Sequence, residues 1–155
     1  MKSDQLYLAP YSSPVTAREE RKLILSVDDE VGVLFSRYKL LAAAGYAVLS
    51  ASDGVQALGL FSTEKFDLVI LDYNLPAMHG GLVAEAMKAH LPDVPVVMVS
   101  GADLPAEYRA FCDDCILKAA GPERLLHTIE RILSPALSPA CAAGVPGSTQ
   151  RISAC

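Results

Sequence analysis

The stretch "KLILSVDDEVGVL", residues 22–34, sets the terms for the rest of the chain. Its first half is a short apolar run without alternation, the pattern of a strand covered on both faces. The run ends abruptly in two neighbouring carboxylates, Asp28 and Asp29. Repulsion and desolvation both oppose burying two like charges side by side. Helical spacing follows over "EVGVLFSRYKLLAAAG" (30–45) and stops at Gly45, a natural C-terminal signal.

The same alternation continues downstream. "YAVLSA" (46–51) reads as a second strand, and Asp53 suits the N-cap of a helix over "GVQALGLFSTE" (54–64). "FDLVILD" (66–72) is the strongest strand, followed by a helix over "GGLVAEAMKAH" (80–90). "VPVVMVS" (94–100) is another apolar strand, and "PAEYRAFC" (105–112) a short helix leading into the strand "DCILK" (114–118). "GPERLLHTIERIL" (121–133) closes the set, with Pro122 suited to a first helical position. Five strands and five helices in strict alternation predict an α/β domain over residues 21–134: a doubly wound open parallel sheet with helices on both faces.

The ends read differently. Residues 1–20 lack a clear period, and residues 135–155 gather Pro, Gly, Ala and Ser, so both are expected to be flexible segments, the second with a partner-docking peptide as the other reading. At 155 residues, a single domain with flanking segments is the expectation. A net charge of -5 argues against direct nucleic-acid or membrane-surface binding. Residues 1–20 lack the apolar core of a signal peptide, and no apolar run approaches the ~20 residues of a membrane span. A cytoplasmic location is the expectation. Of the four cysteines, Cys112 and Cys115 form a C-x-x-C without a second ligand pair for zinc, and without the helix N-terminus that activates a redox thiol. Cys141 and Cys155 fall in the C-terminal segment, so no disulfide framework is expected.

In an open α/β sheet, ligands bind beyond the carboxyl ends of the strands. Collecting the polar residues there gives Asp28 and Asp29 after strand one, Asp72 after strand three, Ser100 after strand four and Lys118 after strand five. With strands one and three as neighbours, three carboxylates share one pocket. Two unit charges ~4 Å apart repel by about 4 kcal/mol at an effective dielectric of ~20, so a cation must join them. Oxygen ligands with no His or Cys beside them suit Mg2+. Each residue alone has an ordinary turn or capping reading; it is their common edge that points to a site.

These residues, within "VDDE" (27–30), "LVILDYNLPAMHGG" (68–81), "PVVMVSGA" (95–102) and "DDCILKAA" (113–120), resemble the receiver domain of two-component response regulators. The resemblance covers roughly residues 21–134 and implies a flavodoxin-like five-stranded sheet of order 2-1-3-4-5, in a stand-alone, chemotaxis-regulator-like form. It implies that Asp72 accepts a phosphoryl group from a histidine kinase or phosphotransfer protein. Asp28, Asp29, Asp72 and the backbone carbonyl of Asn74 would hold Mg2+, with Asp28 through water. Ser100 and Lys118 would contact the phosphoryl group. The resemblance makes the protein a phosphoacceptor with slow self-dephosphorylation rather than a true enzyme. It signals through contact with a downstream protein, with homodimerisation left open.

Three positions depart from the family's pattern. Ala119 replaces the proline after Lys118, so a trans bond and a displaced Lys118 are expected. Cys115 stands where the family carries an aromatic switch. The interval from Ser100 to Lys118 is short by about one helical turn, so the fourth helix should be stunted. The missing proline and the missing aromatic sustain an alternative: a pseudo-receiver that binds partners without phosphorylation. A Mg2+-dependent phosphatase is disfavoured by Asn74, which stands where such enzymes commonly place a second acid, and no glycine-rich nucleotide loop is present.

Overall fold

The structure, a computed structural model, describes residues 21–134. Both terminal segments discussed above, with Cys141 and Cys155, lie outside the described residues. The elements are β1 (Leu23–Val27), α1 (Val31–Ala43), β2 (Ala47–Ala51), α2 (Gly54–Thr63), β3 (Leu68–Asp72), α3 (Gly80–His90), β4 (Val96–Ser100), α4 (Ala106–Arg109), β5 (Asp114–Leu117) and α5 (Pro122–Leu133). All strand pairings are parallel, in the order β2-β1-β3-β4-β5. The flavodoxin-like doubly wound sheet expected from the sequence is the one observed.

Alternation along each central strand divides the core in two. Leu25, Val27, Val69, Leu71, Val96 and Met98 face one side, packing on Ala57 and Phe61 of α2 and Val83 and Met87 of α3. Ile24, Leu68, Ile70, Val97 and Val99 face the other, against Leu41 of α1 and Leu125 and Ile129 of α5. A strand buried on both faces has no polar side to show, which is why the central strands read as continuous apolar runs. The edge strands differ: Leu49 of β2 and Leu117 of β5 are exposed.

Local signals explain the element ends. Gly45 stops α1 at φ 98°, a left-handed conformation that costs glycine little. The Asp53 side chain accepts from the Gln56 amide at 2.7 Å and caps α2. Pro122 opens α5 at a position where its missing N–H costs nothing. The fourth helix is indeed stunted, to four residues rather than the eight of 105–112. The order of the strands reverses between β1 and β3, so the acids ending those two strands meet at the switch point of the sheet.

Candidate functional site

Asp28, Asp29 and Asp72 converge there, each offering a carboxylate oxygen within 4.8 Å of the others. Asp28 and Asp72 are fully buried, whereas Asp29 is exposed. The site edge is drawn tight behind Asp72 by Gly80, whose amide donates to the Tyr73 carbonyl at 2.7 Å. A Cβ on Gly80 would stand 2.3 Å from the Asp72 carbonyl oxygen and 2.8 Å from Tyr73 Cα. Only glycine lets the first turn of α3 pass this close to the end of β3.

Asp72 is buried with an ion pair but without hydrogen bonds to its carboxylate. The Lys118 ammonium lies 3.2 Å from its Oδ1 as an ion pair. Among the described residues, neither Asp72 oxygen has a partner in hydrogen-bond geometry. Burial, then the neighbouring Asp28 charge, push its carboxyl above the usual carboxylate range, with Lys118 and the Asn74 backbone N–H pulling the other way. Two orphaned buried oxygens beside two further carboxylates form an all-oxygen donor set, which fits a hard divalent cation such as Mg2+.

The sequence reading missed one member of this site. Arg37 of α1 is buried, and its guanidinium donates to Asp28 Oδ2 at 3.2 Å and to Ser26 Oγ at 3.1 Å. Asp28 Oδ1 accepts from the Glu30 amide at 3.0 Å, so both its oxygens are engaged. The premise that the acids need an added ion is therefore amended: the chain itself supplies cationic side chains, Arg37 and Lys118, to the cluster. A signal was available. Leu34, Arg37 and Leu41, at i, i+3 and i+7, form the buried face of α1, with a charge in the middle.

The remaining residues fall as follows. Ser100 is buried at the end of β4, and its Oγ accepts from the Ala102 amide at 3.3 Å rather than bonding Asp72. Asn74 lies in the exposed loop after β3. Lys118 opens a 3-10 turn, Lys118–Ala120, one residue beyond β5. No cis peptide bond occurs among the described residues, so the bond to Ala119 is trans as expected, yet the ammonium still reaches Asp72. At the position of the missing aromatic, Cys115 is half-buried and forms no disulfide among the described residues, and burial raises its thiol pKa. Burial, with the neighbouring Cys115 and Asp113, pushes the Cys112 thiol up to about 11. Aromatic residues cluster nearby instead: Tyr73, His79 and Tyr108, with ring centroids 4.9 to 6.0 Å apart.

Comparison with known proteins agrees with this geometry. The family model of the response regulator receiver domain matches residues 24–130. The probable transcriptional regulator ycf27 of Guillardia theta is 34% identical over 119 residues, covering 74% of this chain and 46% of that protein. The transcriptional regulatory protein PrrA of Mycobacterium tuberculosis is 32% identical over 114 residues, covering 71% of this chain and 49% of its own. The chain thus spans about half the length of the curated relatives it matches. Among solved structures, a CheY-like receiver domain protein from Methanospirillum hungatei superposes with a TM-score of 0.69 at 31% identity, covering 74% of this chain and 94% of that one. The response regulator TrrA from Thermotoga maritima, solved in complex with Mg2+ and BeF, gives 0.66 at 27% identity, covering 72% and 99%. A five-stranded sheet of this order, an acid cluster at its switch point and a match over most of the described residues lead to one conclusion: the chain belongs to the response regulator receiver domain family.

Proposed function

We propose that this receiver domain accepts a phosphoryl group on Asp72 from a histidine kinase or phosphotransfer protein. The observation that carries the reading is the state of Asp72: fully buried, without a hydrogen-bond partner on either oxygen, and 3.2 Å from a lysine. A carboxylate oxygen of Asp72 attacks phosphorus in line, the bond to the donor imidazole nitrogen breaks, and an acyl phosphate forms. The transition state is loose, so positioning and charge neutralisation matter more than covalent assistance. Lys118 meets a phosphoryl oxygen as a compact positive charge. Ser100 exchanges its bond to the Ala102 amide for one to the phosphoryl group, drawing the loop after β4 with it. Asp28, Asp29, Asp72 and the Asn74 carbonyl would hold Mg2+. Bound there, Mg2+ supplies neutralisation of the phosphoryl oxygens.

Phosphorylation adds nearly two negative charges and shifts the balance between two arrangements of the β4–β5 side. The output is contact with a downstream protein, and the setting is the cytoplasm, where a kinase would meet it. No helix among the described residues is long and apolar enough to cross a membrane. An apolar stripe on α1, Val31, Phe35 and Tyr38, stands exposed at 76%, 60% and 48% next to the site and suits a helical partner. A second reading, the pseudo-receiver, is favoured by one observation: Arg37 and Lys118 temper the acid cluster without any metal. Incubation with acetyl phosphate and Mg2+, followed by intact mass measurement, separates the two. Gain of one phosphoryl group that is lost in Asp72→Asn supports the relay; an unmodified wild type supports the pseudo-receiver.

A further inference from the structure

We propose that Arg37 is a resident counter-cation of the acidic site: it holds Asp28 in the metal-free protein and thereby weakens the binding of Mg2+. The inference rests on the reading of Asp28, Asp29 and Asp72 as a Mg2+ site, and adds a residue that sets its affinity.

Packing alone does not account for this arginine. The position lies on the inward face of α1 between Leu34 and Leu41, where an apolar side chain would bury at no electrostatic cost. Instead the chain places a guanidinium there at 7% exposure, and opposite it a fully buried serine, Ser26, in a strand otherwise apolar. Arg37 and Ser26 therefore act as a unit. One nitrogen of the planar fork donates to Ser26 and another to Asp28, which fixes the guanidinium and aims it.

Both Asp28 oxygens are hydrogen-bonded, whereas Asp72, among the described residues, is met only by its ion pair with Lys118. The two Asp28 oxygens are taken by Arg37 and by the Glu30 amide, while neither Asp72 oxygen has a hydrogen-bond partner. Arg37 pairs with Asp28 and Lys118 with Asp72, so the cluster of three negative charges already holds two positive ones before any ion arrives. A divalent cation drawing on Asp28 must share it with a guanidinium of its own sign. A guanidinium buried with its partner is screened little by salt, so the competition persists at physiological ionic strength. The opposing effect, that a pinned Asp28 is better ordered for a metal, is the smaller one, because Asp28 is also fixed by the Glu30 amide and by complete burial.

Isothermal titration of the full chain with Mg2+ tests the assignment, comparing wild type with Arg37→Leu, Arg37→Lys and the double variant Ser26→Val/Arg37→Leu. Removing the charge should tighten Mg2+ binding by roughly tenfold or more, whereas Arg37→Lys, which keeps the charge, should stay near wild type. Metal-free Arg37→Leu should melt well below wild type and recover most of the difference on adding Mg2+. The double variant removes the unpaired serine and serves if the single one does not fold without metal. If Arg37→Leu and the double variant bind Mg2+ no tighter than a wild type that does bind it, Arg37 is a structural residue and the inference fails alone. If neither wild type nor any variant takes up Mg2+ at millimolar levels, the metal reading fails and this inference with it.

Discussion

The centre of the sheet, where β1, β3 and β4 lie side by side, and its β5 edge are built from different forces. Every residue of β3 and β4 is buried, and Ile24, Leu25, Val27, Leu68, Ile70 and Leu71 are fully so. In β5 only Ile116 is buried, and no residue of α4 is. Beyond its backbone ladder to β4 and the single core residue Ile116, the β5 side is held by charge: Lys88 to Asp113 at 2.7 Å, and Arg131 to Asp114. Partly exposed pairs of this kind contribute at most about 1 kcal/mol each and weaken with salt. The proposed phosphoacceptor is thus set in apolar scaffolding, while the contacts easiest to break lie on the side that would have to move. Local stability is lowest where contacts are fewest, so the difference sorts the domain into a fixed chemical half and a yielding half.

The strongest way to break that division is to disturb the rigid centre. Gly80→Ala puts a Cβ 2.3 Å from a backbone oxygen of Asp72, and backbone on both sides leaves nothing flexible to give way. Overpacking of this kind costs about 1–3 kcal/mol and sometimes more; the upper end is expected, with loss of Asp72 phosphorylation alongside a lowered denaturation midpoint. A Gly80→Ala variant as stable as wild type would mean that the end of β3 is not rigid.

Next in size is Asp72→Asn in metal-free protein. The folded carboxyl sits above its ordinary 3.8, because burial and Asp28 oppose its ionisation. Between 3.8 and that raised value the folded state binds more protons than the unfolded one, so stability falls as pH rises through this window. Asparagine has no such loss. In urea with a chelator, the variant should match wild type near about pH 4 and exceed it near about pH 8 by about 1–3 kcal/mol, the scale for a buried group left unpaired. Equal stability at both pH values would show that Lys118 compensates Asp72 fully.

Most of the fold could be read from the sequence, because its signals are local. Continuous apolar runs marked β1, β3 and β4, and Gly45, Asp53 and Pro122 marked helix ends. The edges, β2 and β5, followed from the strand order that the family resemblance implied rather than from their own residues, since only pairing order reveals which strands lack a neighbour. The acid cluster was legible as strand-end polarity. Arg37 was not, because a charge on an apolar helix face reads as an interruption of the pattern until its partners on β1 are seen. The hydroxyl of Ser100 shows the same limit: its place is visible in sequence, its present partner, the Ala102 amide, only in structure.

The yielding edge can be tested through Lys88. Its ammonium reaches Asp113 Oδ2 at 2.7 Å and the carbonyls of Val94 at 2.8 Å and Pro92 at 3.2 Å, tying α3 to the entrances of β4 and β5. Lys88→Met keeps the stem and removes the charge, which should cost about 1–2 kcal/mol and abolish part of the salt sensitivity of unfolding. Hydrogen exchange in the variant should accelerate at β5 and leave β1 and β3 protected. Uniform acceleration would contradict the two-force description.

The smallest expected effect lies within the rigid half and has the opposite sign. Ala77, in the loop between Asp72 and α3, is the one non-glycine described residue with positive φ, at 66°. Its Cβ crowds the following carbonyl there, at a cost of about 1–2 kcal/mol. Glycine removes that strain but adds freedom to the unfolded chain, which returns about 0.4–1 kcal/mol. Ala77→Gly should therefore stabilise by a few tenths to about 1 kcal/mol, seen as a raised denaturation midpoint at unchanged slope. Because the loop belongs to the apolar centre, the gain should be the same at low and high salt. A gain that disappears in high salt would tie the loop to the ionic contacts of the β5 side and merge the two halves into one.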